Sequence, residues 1–384
     1  MLQAGGGAEG ADYRLAYVGT ANGMERGIVE RESDLPFYPL PAAAVRGRSP
    51  LQLLRSGATI ARGVGVARRL LQQHRPAAVL GTGGYVCVPL FVAARTLGVP
   101  TLIYLPDVVP GLAVRFLALI ANQVACNVED SIEHLRISLY DRSRGKSQPS
   151  GGQRIIVTGY PVRTALFDQD RTACRAAFGF NANLPILLVY GGSLGARTIN
   201  QAVAALLPEL LRRAQLIHVC GREGDEEWLR AAAAPLEPHL RSRYRLYPYL
   251  DQPHGRAEGG TQAQTDMPSA FGAADLALCR SGASTLAELP AAGLPAILVP
   301  LPGVHQEENA DYLVRRGAAV KVPNAALDPA TNLRNGLLFA MARQLLENHN
   351  ERRKMAEQSR NLARPDAARN LAGALLRLAT RSGG

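Results

Sequence analysis

Two glycine-rich turns in this chain have the composition of anion-binding segments. The first, Gly81-Thr82-Gly83-Gly84, follows an apolar segment at 77–80, and the second, Gly191-Gly192-Ser193-Leu194-Gly195-Ala196-Arg197, follows one at 185–190. Glycine lets the backbone turn tightly and approach a ligand, and the start of a helix offers free N–H groups and a positive dipole end. Because each half of the chain contains such a turn, we predict two nucleotide-binding-type α/β domains facing a cleft.

A further helix start carries hydroxyl and carboxylate groups. The segment Cys279–Thr285 follows an apolar strand and leads into a helix with Glu288 one turn further on. We expect the hydroxyls of Ser284 and Thr285 and nearby backbone N–H groups to face outward as a cradle for a diphosphate. Glu288 is placed to accept hydrogen bonds from a ribose diol, although the spacing also suits a solvated glutamate or an i,i+3 or i,i+4 partner.

Neutral polar side chains follow the next predicted strand, in the segment Pro300–Asn309. Gln306 and Asn309 are suited to bind sugar hydroxyls, and an ordinary polar loop is the alternative. Neither glycine turn has the G-x-G-x-x-G spacing of a dehydrogenase, and the sequence contains no Walker lysine. It also shows no pattern typical of a Ser–His–Asp set or a metal cluster, so we expect no metal and no cofactor.

Parallel sheets must position these motifs, and strands and helices alternate along the chain. This alternation predicts an α/β fold with a doubly wound parallel sheet in each half. We predict domains at residues 1–162 and 163–384, the second closed by an amphipathic helix over 366–378, with exposed segments at 141–152 and 251–265. The predicted strands are 14–18, 77–80, 101–105, 124–127, 155–157, 186–190, 216–220, 244–247, 276–278 and 296–300.

Positive charge is concentrated near the N-terminus of a chain whose net charge is +11. Between Asp34 and Asp107 there is no acidic residue, and a helix predicted over 50–73 lies in this interval. The arginines there are Arg46, Arg48, Arg55, Arg62, Arg68, Arg69, Arg75 and Arg95. Arg55, Arg62 and Arg69 share one helix face, opposite the apolar residues Ile60, Val64, Ala67 and Leu71. This face is either an ordinary solvated surface or a contact with anionic lipid; nucleic acid is disfavoured because no recognition motif accompanies the charge.

The five cysteines, Cys87, Cys126, Cys174, Cys220 and Cys279, form no C-x-x-C pair. We therefore expect buried free thiols, as in a cytosolic protein. The N-terminal residues lack the pattern of a signal peptide, and no stretch of about 18 apolar residues predicts a membrane span.

Taken together, the motifs resemble those of the MurG-type glycosyltransferases. The matching motifs are Gly83-Gly84-Tyr85-Val86 with Pro89, Val109-Pro110-Gly111, Thr158-Gly159-Tyr160-Pro161-Val162-Arg163, Gly191–Arg197 with Asn200, Arg280-Ser281-Gly282-Ala283, Glu288 with Ala291–Ala296, and His305-Gln306 with Asn309-Ala310. The resemblance implies the two-domain GT-B fold. It also implies transfer of N-acetylglucosamine (GlcNAc) from UDP-GlcNAc to undecaprenyl-diphospho-muramoyl-pentapeptide, converting lipid I to lipid II on the cytoplasmic face of the membrane.

The resemblance also implies residue roles. The donor site would comprise Arg163, Ser193, Leu250, Arg280, Ser284, Thr285, Glu288 and Gln306. Within it, Ser193 and Arg163 would contact the UDP portion, backbone near Tyr249-Leu250 would face uracil, and Gln306 would bind the GlcNAc hydroxyls. The acceptor would lie near Gly83, Gly84 and Tyr85, with the basic face of the first domain against an anionic membrane surface.

The chain departs from the family pattern in its first half. The family's first strand and glycine-rich loop, whose histidine is implicated as catalytic base, have no counterpart before Arg14. Tyr104-Leu105-Pro106-Asp107 stands where the family has His-Glu-Gln-Asn, and Leu194 stands where it has glutamine. Asp107 is the remaining candidate base. These departures keep open two alternatives: a related GT-B enzyme with another lipid acceptor, and a non-catalytic relative that binds a UDP-sugar.

Overall fold

The computed structural model describes residues 13–43, 50–140, 154–181, 184–192, 195–250, 265–328 and 333–381. The chain divides into two compact units, the first comprising Met1–Gly159 with Asp366–Gly384 and the second Tyr160–Pro365. The predicted exposed segment 141–152, and residues 251–264 of the segment predicted at 251–265, lie outside the described residues. So do Arg46, Arg48, Ser193, Leu194 and the side chain of Arg55.

The described residues of the first unit form two parallel sheets. A two-stranded sheet pairs β1 with β2, and a four-stranded sheet has the order β3-β4-β5-β6. The elements are β1 (Tyr17–Gly19), α1 (Met24–Glu32), β2 (Phe37–Pro39), α2 (Pro50–His74), β3 (Val79–Gly81), α3 (Cys87–Leu97), β4 (Thr101–Leu105), α4 (Leu112–Ile120), β5 (Gln123–Cys126), α5 (Ser131–Tyr140), β6 (Ile155–Val157) and α15 (Ala367–Arg381).

The core of the first unit surrounds β4. Every residue of β4 is buried, as expected for a parallel strand that is covered on both faces. Helix α2 packs on α3 and buries Ala67 and Leu71 while Arg62 and Arg69 remain exposed. The predicted apolar face of this helix is therefore confirmed. No helix among the described residues is long and apolar enough to cross a membrane.

The second unit contains one six-stranded sheet, with every neighbouring pair parallel and the order β12-β11-β10-β7-β8-β9. Its elements are α6 (Arg171–Ala177), β7 (Ile186–Tyr190), α7 (Arg197–Leu211), β8 (Gln215–Val219), α8 (Glu226–Ala233), α9 (Pro238–Arg241), β9 (Tyr244–Tyr247), α10 (Met267–Ala273), β10 (Leu276–Cys279), α11 (Thr285–Ala292), β11 (Ala296–Leu298), α12 (Gln306–Arg315), β12 (Ala319–Lys321), α13 (Leu337–Glu347) and α14 (His349–Asn361).

This strand order is that of a doubly wound sheet. The chain runs outward from β7 through β8 and β9, then returns to β10, which pairs with the other edge of β7. The point between β7 and β10 is a topological switch point, where loops from the two strand ends diverge and leave a crevice. The doubly wound arrangement predicted for the second half is confirmed.

The C-terminal helix differs from the prediction. The sequence placed it with the second domain, whereas α15 belongs to the first unit and contacts β4. Its apolar face accounts for this, because Ala367, Leu371 and Ala374 are buried. All five cysteines are buried and free, as predicted.

Candidate functional site

A cavity of about 260 Å³ lies in the second unit at the carboxyl ends of β7 and β10. Ligands of open parallel sheets bind at this switch point. Predicted donor-site residues line it, namely Arg163, Arg280, Ser284, Thr285, Glu288 and Gln306. Ser193 lies outside the described residues. The side chain of Leu250 is only 4% exposed and does not line the cavity.

The second glycine turn forms one wall of the cavity. Gly191 and Gly192 line it, and Gly192 has φ +88°. Gly195 has φ +84°, and a Cβ there would lie 2.1 Å from the carbonyl oxygen of Cys220. Only glycine fits this position, because both its conformation and its contact exclude a side chain. The turn therefore holds the start of α7 close to the end of β8.

The start of α11 forms the opposite wall and corrects one prediction. Thr285 is buried, and its hydroxyl donates a hydrogen bond to the carbonyl oxygen of Arg280 at 3.2 Å instead of facing outward. Ser284 is half-buried and lines the cavity. Backbone N–H groups of this turn and the positive end of the helix dipole favour an anion here.

Glu288 lies one turn into α11 and lines the same cavity. Burial raises the pKa of its carboxyl, while a hydrogen bond from Ser284 and the charge of Arg163 act in the opposite direction. Tyr190, which the sequence did not single out, lies beside it. Burial raises the pKa of Tyr190 well above its usual value, and the Cys279 thiol and the Glu288 carboxylate contribute in the same direction. The cavity therefore contains one carboxylate in a poorly solvated environment.

Arg280 lines the cavity, but its guanidinium binds the protein. It donates to the carbonyl oxygen of Val299 at 3.0 Å, to Asn324 Oδ1 at 2.7 Å and to Thr198 Oγ1 at 2.6 Å. These bonds connect the loops after β10 and β11 with α7. Arg280 thus positions the walls of the site.

Gln306 and Asn309 have different environments. Gln306 lines the cavity, and its Oε1 accepts a hydrogen bond from the Leu301 N–H at 2.9 Å. Its side-chain NH₂ has no partner among the described residues. Asn309 is fully buried and donates to the carbonyl oxygen of Ser281 at 3.0 Å. The expectation that Asn309 binds sugar hydroxyls is therefore wrong, and this residue fixes the loop that carries Ser284.

An aromatic side chain at the end of β9 also lines the cavity. Tyr249 is 36% exposed, and the guanidinium carbon of Arg222 lies 4.0 Å from the centre of its ring. The sequence analysis pointed to the backbone of this segment, and the tyrosine ring is the group that the structure places in the wall. A planar ring of this kind can stack on a base.

A buried polar network supports the second glycine turn. His218 is fully buried, with Nδ1 2.9 Å from the Tyr244 hydroxyl and Nε2 2.9 Å from Asn200 Oδ1. Asn200 donates from Nδ2 to Asp225 Oδ2 at 2.8 Å and to the carbonyl oxygen of Cys220 at 2.9 Å. Burial lowers the pKa of His218 to about 3, with the Asp225 carboxylate opposing. The network connects β8 and β9 to the first turn of α7.

The residues predicted for the acceptor lie in the first unit. Gly83 and Gly84 have φ +93° and +79°, and Tyr85 is 45% exposed. Asp107 is half-buried in the loop after β4, where its main-chain carbonyl accepts a hydrogen bond from Ser131 Oγ at 3.2 Å. Within the described part of the chain, no group of three or more His, Cys, Asp or Glu residues could hold a metal ion.

Both halves of the chain match models of one glycosyltransferase family. Residues 8–126 match the glycosyltransferase family 28 N-terminal domain, and residues 186–371 match the glycosyltransferase family 28 C-terminal domain.

Similar proteins cover nearly the whole chain. A UDP-N-acetylglucosamine--N-acetylmuramyl-(pentapeptide) pyrophosphoryl-undecaprenol N-acetylglucosamine transferase from Roseiflexus sp. is 57% identical over 94% of this chain and 82% of its own length. The transferase of the same name from Desulforudis audaxviator is 36% identical over 96% of this chain and 91% of its own.

Two solved structures are also similar to this chain. The crystal structure of Acinetobacter baumannii MurG has a TM-score of 0.67 and 27% identity, covering 95% of this chain and 91% of that one. A UDP-GlcNAc 2-epimerase from Neisseria meningitidis, bound to UDP-GlcNAc, has a TM-score of 0.61 at 15% identity, covering 96% of this chain and 93% of its own. This second likeness concerns the fold alone.

Proposed function

The chain belongs to glycosyltransferase family 28, and from this membership we propose that it transfers GlcNAc from UDP-GlcNAc to undecaprenyl-diphospho-muramoyl-pentapeptide, the lipid I to lipid II step of peptidoglycan synthesis. The observation that carries the proposal is the identity of 57% over 94% of the chain with a transferase of that name. The switch-point cavity supplies the groups that a nucleotide sugar needs. Supplying peptidoglycan would in turn serve cell shape and division.

The donor lies in the switch-point cavity. Its diphosphate faces Ser284 and the start of α11, where N–H groups and the helix dipole favour negative charge. Glu288 accepts hydrogen bonds from the ribose, and Arg163 faces the UDP portion; both line the cavity. The free NH₂ group of Gln306 is available to GlcNAc hydroxyls. Tyr249 provides a stacking surface for the base.

The reaction is a displacement at the anomeric carbon of GlcNAc. A hydroxyl of the acceptor sugar attacks this carbon, the bond to the diphosphate oxygen breaks, and UDP leaves with the electron pair. Fixed N–H groups and the dipole of α11 stabilise the charge that develops on UDP. The hydroxyl proton passes to a base, for which Asp107 is our candidate. The acceptor sugar lies near Gly83, Gly84 and Tyr85.

The test is transfer of labelled GlcNAc from UDP-GlcNAc to a short-chain lipid I analogue. We expect product with the wild-type chain and loss of transfer with Glu288→Ala. Glu227→Ala is the matched control, because Glu227 is an exposed glutamate of the same unit outside the cavity. Asp107→Asn should retain UDP binding and lose turnover. If wild type binds UDP and gives no product, the acceptor assignment fails, and full activity in Glu288→Ala refutes the donor assignment.

The first unit associates with the cytoplasmic face of the cell membrane as a peripheral protein. Arg62 and Arg69 are exposed on α2, and each basic residue near an anionic surface contributes about 1 kcal/mol. On α4, Leu112 is 68% exposed and Phe116 41% exposed, and these neighbours at i and i+4 are suited to enter the lipid interface. Arg62→Glu with Arg69→Glu should weaken sedimentation with phosphatidylglycerol vesicles. Unchanged sedimentation refutes this contact.

A further inference from the structure

A second, larger cavity lies at the opposite edge of the six-stranded sheet. Its volume is about 440 Å³, and it is lined by residues that immediately precede strands: Pro185 before β7, Asp275 before β10 and Pro295 before β11. These are the amino ends of the strands, whereas the switch-point cavity opens at their carboxyl ends. Helices α6 and α14 contribute the rest of the wall. The two cavities are therefore separate sites in one unit.

Basic side chains dominate this cavity. Among the described residues, five arginines line it, with His349 and a single carboxylate, Asp275; the arginines are Arg171, Arg175, Arg352, Arg353 and Arg360. Asp275 already binds Arg171, Arg175 at 2.6 Å and the Ile186 N–H at 2.7 Å. Its oxygens are thus committed to these partners, and the remaining positive charge has no internal counterion in the cavity.

Three of the five arginines make contacts that stabilise the fold. Arg171 and Arg175 pair with Asp275. Arg352 is 8% exposed and donates to the carbonyl oxygens of Leu345 and Leu346 at 2.5 and 2.7 Å, at the end of α13. Burial lowers its pKa, and the charges of Arg171 and Arg175 contribute in the same direction, with Asp275 opposing. The positive groups therefore repel one another across the cavity.

The other two arginines make no such stabilising contacts. Arg353 and Arg360 are exposed on α14, and neither guanidinium has a hydrogen-bond or ion-pair partner among the residues described. The stem of Arg360 lies against Gly293, where a Cβ would come within 2.4 Å of its Cγ and Nε. Gly293 has φ +60° and ends α11. This close contact holds the Arg360 guanidinium at the cavity wall.

We propose that this cavity binds a phosphate-bearing anion between Arg353, Arg360 and the Arg171–Arg175 pair. Guanidinium forks match phosphate oxygens two at a time, and a phosphate or diphosphate carries enough charge to relieve the repulsion among several arginines. The volume falls within the range of about 300–1,000 Å³ typical of small-ligand sites. The inference goes beyond the proposed transfer reaction and does not depend on it.

The test is calorimetric titration of the full chain with pyrophosphate at about 0.1 M salt, where exposed charges are screened. Arg353→Ala with Arg360→Ala should weaken binding by about tenfold or more. Lys354→Ala removes one positive charge from an exposed position of α14 outside the cavity and should leave the affinity unchanged. Ser284→Asp, which puts a carboxylate where the donor diphosphate is proposed to lie, should also retain binding, which separates this site from the donor cavity. Equal affinity in wild type and the double variant overturns the proposal.

A second experiment distinguishes a free phosphate compound from a lipid headgroup as the ligand. Wild type, the double variant and Lys354→Ala are sedimented with phosphatidylglycerol vesicles and with phosphatidylcholine vesicles. Pyrophosphate binding without an effect of the double variant on sedimentation indicates a free phosphate compound. A loss of sedimentation confined to the double variant and to phosphatidylglycerol indicates a lipid headgroup. Absence of both effects refutes the site. Cooperative thermal unfolding of each variant verifies that it folds.

Discussion

Acidification should destabilise the second unit through one buried histidine. His218 is neutral in the folded protein because its Nδ1 faces the Tyr244 hydroxyl and its Nε2 faces Asn200 Oδ1, both at 2.9 Å. Since Asn200 uses its NH₂ group for Asp225 and Cys220, its oxygen accepts from Nε2–H and the tyrosine donates to Nδ1. Protonation of Nδ1 would remove that acceptor and place in the core a positive charge that the Asp225 carboxylate compensates only in part.

The magnitude follows from linkage between protonation and folding. Burial lowers the folded pKa of His218 to about 3, whereas an unfolded histidine titrates near pH 6.5. The unfolded state therefore binds the proton more strongly throughout this window, so stability is present above about pH 6.5 and is lost as the pH falls toward about 3. At pH 5 the loss from this residue alone is about 2 kcal/mol relative to pH 8.

The assay is urea unfolding followed by tryptophan fluorescence. The chain has one tryptophan, and Trp228 donates to Asp225 Oδ1 at 3.0 Å, so its emission reports on the same network. Each unfolding free energy is measured at pH 8, 6 and 5 for wild type, His218→Gln and the exposed control His239→Gln. We expect the unfolding free energy that is lost between pH 8 and pH 5 to be smaller by about 2 kcal/mol in His218→Gln and unchanged in His239→Gln. Parallel profiles for wild type and His218→Gln would refute the assignment of a neutral buried histidine.

Three further perturbations have defined outcomes. Gly195→Ala should lower the free energy of unfolding by at least about 2 kcal/mol, because it adds a clash with Cys220 to the strain of a positive φ. In urea unfolding, Gly192→Ala should show a smaller loss, since its Cβ meets open space. Arg280→Lys should lower stability by about 1–3 kcal/mol and weaken UDP binding, since a single ammonium cannot replace the fork; intact stability and affinity would contradict its positioning role. The KM for UDP-GlcNAc should rise as the pH falls through the raised pKa of Glu288, and a KM profile unchanged by Glu288→Gln would exclude this carboxylate as the cause.

Two of the four strands whose bounds were predicted correctly, β4 and β7, are buried at every residue. Residues 101–105, 155–157, 186–190 and 244–247 were predicted with the bounds that the structure has. Apolar runs ending at turn residues fix such strands locally. The strands β2 and β12, with three residues each, were not predicted. The partner of the last helix was also misjudged, since an amphipathic pattern identifies a buried face and leaves the surface that covers it open.

Residue types at the site could be predicted, but side-chain directions could not. Gly191, Gly192 and the start of α11 line the cavity, because both segments follow strands of a parallel sheet. Thr285 and Asn309 were expected to face a ligand and instead bind backbone carbonyls. Whether such a side chain faces a ligand or the protein backbone depends on neighbours distant in sequence. Tyr190 and the His218 network were missed for the same reason: no local pattern marks them.

The small sheet of β1 and β2 has a consequence for how the first unit opens. Three residue pairs join its strands, and a two-stranded ribbon is marginal by itself in water. Val18 and Leu40 pack on the core formed around β4, and the ring centre of Tyr38 lies 4.8 Å from that of His74 at the end of α2. We therefore expect residues 17–39 to detach from the first unit at a lower free energy than the four-stranded sheet. In thermodynamic terms, we expect the first unit to exchange between a state in which this small sheet is packed on the core and one in which it is detached, while the four-stranded sheet stays folded.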